Sequence, residues 1–122
     1  MGLFGNNKFK DLNLMELTPI RKHEHIEKEG GLIDVLVPRF TDWFFGKLLM
    51  PRMKNKYIKA NLDEIGSQTW LLIDGTKQVY QISNELLENF GEKVEPVVNR
   101  TTLFMTQLYR NGFITFKEIR KD

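Results

Sequence analysis

Between Asp63 and Gly91 the chain carries two helical patterns with almost nothing between them, and this pair limits the possible folds more than any other feature. Asp63 is suited to cap a helix, Ile65, Thr69, Leu72 and Ile73 form one stripe behind it, and Gly75 sits where a left-handed terminal residue belongs. The spacing predicts a first helix over 64–74. Val79, Ile82, Leu86 and Phe90 then follow at intervals of three, four and four and stop at Gly91, which predicts a second helix starting at Val79. Neither helix carries an obvious catalytic group, so the pair points toward binding.

A third and longest helix is predicted from Pro96, a residue suited to a first helical turn, through Val97, Thr101, Phe104, Met105 and Leu108 to Asn111 and Gly112. Upstream, the stretch from Ile20 to Val37 reads as a hairpin, two extended runs around "EKEGG", with Gly30 and Gly31 supplying the positive φ of a tight reversal. Ile33, Val35 and Val37 lie on its core face. In "KYIKANL", Ile58, Ala60 and Leu62 alternate with Tyr57, Lys59 and Asn61, the pattern of a third strand with one wet face. The tail "FITFKEI" alternates as well and suits a closing strand or wing.

A chain of 122 residues has room for one core, and 41% hydrophobic with 28% charged residues is a globular composition. The simplest partition is an arm over 1–18 and a domain over 19–122, with an aromatic and basic insertion at about 41–55. In that insertion Phe45, Leu48 and Leu49 have helical spacing before Pro51, which fits a segment capping one end of the core, with partner docking and membrane contact as the other readings. Cysteine is absent, which removes disulfides, thiolate metal sites and cysteine nucleophiles together. No run has the length of a secretory signal or a membrane span, and Asn6 stands where a myristoylation start needs Ser or Thr, so the cytoplasm is the expected compartment.

His23, His25 and Glu27 share one strand face in a geometry able to hold zinc or nickel, but no fourth ligand is evident and no metal or other cofactor is expected. Ser67 and Ser83 lie in predicted helices and outside any nucleophile-elbow context, so no enzyme activity is expected. Trp70 reads as a core anchor.

Three strands followed by three closely linked helices is an α+β layout, a three-stranded antiparallel sheet on a winged-helix-like bundle. The run "LDEIGSQTWLLIDGTKQVYQI", then "LLENFG", then "LFMTQLYRNGFI", resembles the PqqD family of pyrroloquinoline quinone biosynthesis, which shares its fold with the recognition elements of ribosomally made, modified peptides. The likeness covers about residues 56–114, and its most specific part is the frame of Gly66, Trp70, Asp74, Gly75, Val79 and Ile82. Gln78 departs from the Ser or Thr usual at the start of the second helix.

The resemblance implies a non-enzymatic peptide chaperone, which binds the leader of a precursor peptide and presents it to a modifying enzyme, often of the radical-SAM type. In the family the leader lies as an added strand beside the third strand and against the third helix. Carried onto this chain, the strand edge is Lys56, Tyr57, Ile58, Lys59, Ala60 and Asn61, and the helix wall is Val97, Arg100, Thr101, Phe104 and Leu108. Lys47, Arg52, Lys54, Lys56 and Lys59, with no acid among residues 46–61, favour an acidic leader. An open edge also leaves pairing of two copies into a homodimer possible. The rival is a winged-helix DNA-binding regulator, but residues 96–111 offer only Arg100 and Arg110, and a net charge of +2 is a poor match for a phosphate backbone.

Overall fold

The computed structural model describes residues 13–39 and 57–120; the proposed insertion over 41–55, Lys56 and most of the amino-terminal arm lie outside them. The described elements are β1 (Pro19–Arg21), β2 (His25–Glu27), β3 (Ile33–Pro38), β4 (Tyr57–Asn61), α1 (Glu64–Leu72), α2 (Val79–Phe90), α3 (Val97–Arg110) and β5 (Ile114–Phe116). The fold is α+β: a three-stranded antiparallel sheet in the order β2-β3-β4, a separate β1-β5 pair, and three helices.

The helices form where local signals place them. The Asp63 carboxylate accepts the Gly66 N–H at 2.7 Å and starts α1. After α1, the Asp74 carboxylate accepts the backbone N–H and the hydroxyl of Thr76 and the ammonium of Lys77, contacts that hold it far below the usual carboxylate range. This folded turn, with Gly75 at φ 86°, is what lets α2 begin so soon. At the start of α2, the side chain of Gln81 accepts the Gln78 N–H at 2.8 Å, while the Gln78 amide donates to the Glu16 carbonyl at 2.8 Å. The Gln78 amide thus ties the start of α2 to the amino-terminal segment, a donor contact different from the N–H acceptance of a Ser or Thr cap.

The amino-terminal half of the expected hairpin is divided. Only His25–Glu27 pairs with β3, whereas Pro19–Arg21 pairs with β5 in the register Pro19↔Phe116, Ile20↔Thr115 and Arg21↔Ile114. The tail therefore closes as a wing on β1, bolted by Glu118, which accepts both the N–H and the hydroxyl of Thr18. Burial raises the Glu118 pKa, but those two hydrogen bonds outweigh it and hold the carboxyl below its usual value. The core also takes in Leu17, ahead of Pro19, whose carbonyl receives the Val79 N–H.

Trp70 is fully buried, and its indole N–H donates to His25 Nδ1 at 3.1 Å. Phe113 stands edge-on to Trp70, and His23 packs against Phe113 at 5.4 Å between ring centres. His25 is thus engaged with the core of the fold, and among the described residues no cluster of three metal-ligating side chains exists. No helix among them is long and apolar enough to cross a membrane.

Candidate functional site

The site begins at the edge of the sheet. β4 pairs with β3 in the register Val35↔Ala60, Leu36↔Lys59 and Val37↔Ile58, and no described strand lies on its other side. Leu62 donates its N–H to the Ile33 carbonyl at 2.9 Å, and because strand backbone groups alternate in direction, Ala60 and Ile58 also address β3. Tyr57, Lys59 and Asn61 are then the residues whose N–H and C=O point outward along the open edge.

Side chains follow the same alternation. Ile58 shares the core face with Val35 and Val37, yet it is 51% exposed because nothing described lies beyond it, and Tyr57 on the opposite face is 43% exposed. The expected division into one dry and one wet face thus holds only at Ala60 and Leu62, which are half-buried. Asn61 donates to the Asp34 carboxylate, which also pairs with Lys28 at 2.8 Å. Lys28 first and Asn61 second hold that carboxyl below its ordinary value. The two contacts fix the far end of the edge.

Beneath that end, Ser67 of α1 joins helix to sheet. Its hydroxyl accepts the Ile33 N–H at 2.8 Å, the donor left over where β4 ends, and lies 3.3 Å from the Leu62 carbonyl, to which it donates. The edge therefore leads directly into the first turn of α1. There Asp63, Ile65, Gly66 and Thr69 face Arg100, Thr101 and Phe104 of α3 across a recess of about 170 Å³, floored by Leu86 and Val94. A Cβ on Gly66 would crowd the capping Asp63 Oδ1 at 3.0 Å, whereas Phe104 Cζ at 3.6 Å would lie in ordinary contact with it.

Of the expected helix wall, Arg100, Thr101 and Phe104 line this recess, and Val97 is half-buried beside the core. Leu108 is 4% exposed and belongs to the core, so a visiting side chain has almost no surface of it to touch. The Arg100 guanidinium is held at the rim by donating to the Lys93 carbonyl at 2.7 Å. The α1 side of the recess was not expected as site: Asp63 and Ile65 read as cap and stripe, and the signal that could have drawn attention to it is the lone glycine within a helix, Gly66.

A strand edge without a described neighbour that runs into a helix-lined recess completes a small α+β domain of winged-helix-like type. The sequence matches the family model of coenzyme PQQ synthesis protein D (PqqD) over residues 47–114, more than half of the chain. The chain belongs to the PqqD family, whose members are non-catalytic accessory proteins. No curated protein and no solved structure matched it.

Proposed function

We propose that this protein is a peptide-binding chaperone: it captures the leader of a ribosomally made precursor peptide as a fourth strand on β4 and presents it to a modifying enzyme, with a radical-SAM enzyme as the favoured partner. The observation that carries this reading is the open edge at Tyr57, Lys59 and Asn61, which ends at the recess under Arg100, Thr101 and Phe104. Unpaired strand groups need partners, and an extended peptide supplies them whatever its sequence, while its alternate side chains select the site. On the core face Ile58 and on the outer face Tyr57 offer apolar contact. Lys59 and Arg100 favour acidic neighbours, each exposed pair adding about 0–1 kcal/mol.

A DNA-reading helix needs cations along its outer face, whereas α3 exposes Val98 at 48% and Leu103 at 60%. The test is an NMR titration of the labelled protein with the leader of a precursor peptide encoded beside it. Amide shifts concentrated at residues 57–61 and at Arg100, Thr101 and Phe104 are expected. Shifts confined elsewhere, or binding of duplex DNA with a steep salt dependence and none of peptide, would overturn the reading.

A further inference from the structure

We propose that the recess between α1, α2 and α3 is a specificity pocket for one side chain with an apolar body and a hydrogen-bonding tip, the tip being held by the hydroxyl of Thr101. The size sets the class of guest. A cavity of about 150 Å³ in another protein admits benzene, so a recess of about 170 Å³ suits one ring or one branched side chain and nothing larger. Ile65, Leu86, Val94 and Phe104 supply apolar walls, and Gly66 adds no side chain to the lining.

Asp63, Thr69 and Arg100 also line the recess, but each side chain is engaged within the fold, by the Gly66 N–H, the Ile65 carbonyl and the Lys93 carbonyl, which leaves Thr101 as the polar group open to a guest. The hydroxyls of Thr69, Thr102 and Thr106 each donate to the carbonyl four residues earlier. Thr101 is 3% exposed and lines the recess, and among the described residues its hydroxyl has no hydrogen-bond partner. It is not sealed in either: Ser83 Oγ is the enclosed, unpaired side-chain oxygen among those residues. A purely apolar guest would strip water from the Thr101 hydroxyl and return nothing, whereas a guest with a donor or acceptor at its tip satisfies it. The pocket rests on the peptide-binding reading only for the source of its guest: Asp63, at its rim, follows the last edge residue Asn61 by two positions.

Phenol and benzene are probes of the pocket that need no peptide. Titrated into the labelled full chain, phenol is expected to shift the amides of Gly66, Thr69, Thr101 and Phe104 and to bind about fivefold more tightly than benzene. Thr101→Val should bring the two affinities together, and Thr101→Ser should keep the preference. Absence of shifts at those amides, equal affinities in the wild type, or a preference that survives Thr101→Val would overturn the proposal; the wild-type ratio decides even if a variant does not fold. Probe binding without any leader response along 57–61 would sink the strand-edge reading and leave the pocket standing, and the reverse pattern would sink the pocket alone.

Discussion

Two serines in this chain show how much one hydroxyl depends on what stands opposite it. Ser67 accepts the buried Ile33 N–H, a group that no strand residue can reach because β4 has already turned into α1. Ser67→Ala leaves that donor stranded and is expected to lower stability by about 1–3 kcal/mol in urea denaturation, with faster hydrogen exchange at Ile33. Ser83 is equally buried, in α2, but its oxygen has no partner among the described residues. Ser83→Ala therefore removes an unmet polar group and adds helix propensity, and should raise stability by about 1 kcal/mol in the same assay. Opposite signs from the same substitution, both at buried helical positions, are the signature of this difference.

At the scale of elements, the proposed function turns on β4, and its alternation allows its pairing and its binding role to be separated. Ala60 addresses β3 while Lys59 addresses the open side. Proline removes the N–H of the residue it replaces, so Ala60→Pro should cost a ladder bond and destabilise the sheet. Lys59→Pro should leave the melting temperature within a few degrees of wild type and abolish leader binding, because only an outward donor is lost. Equal destabilisation by the two, measured by thermal unfolding, would show the register argument to be wrong. Lys59→Glu keeps the outward N–H and should weaken binding of acidic leaders alone, by a few-fold and less at high salt.

For the molecule as a whole, acid should act in two stages. Burial holds the His23 imidazole below its ordinary 6.5, where it packs on Phe113 at the junction of wing and sheet. The unfolded chain therefore takes up that proton first, and stability should begin to fall as pH drops through 6.5. Asp34 has the opposite charge and the same direction of shift. Its carboxyl is held below 3.8 by Lys28 and Asn61, so its contribution is present above that value and is lost as pH falls through the folded pKa. A melting curve taken at each pH should show both declines, and His23→Gln should remove the upper one while leaving the lower.

Sequence alone determined the helices, to within two residues at the end of α1, which stops at Leu72 and not at 74, and the family, because Asp63, Gly91 and the spaced apolar stripes act within one or two turns, where the chain's own geometry brings them together. It also placed β4 and the apolar stripe of α3. It could not decide which neighbours those residues would meet. Phe104 and Leu108 occupy the same stripe, yet Phe104 lines a recess beside the first turn of α1 whereas Leu108, one turn further on, is core. Pro19–Arg21 and His25–Glu27 look like one extended run, yet they part to different sheets because β5, nearly a hundred residues away, claims the first. Strand pairing and recesses are made by residues distant in the chain, so the tertiary structure settles them.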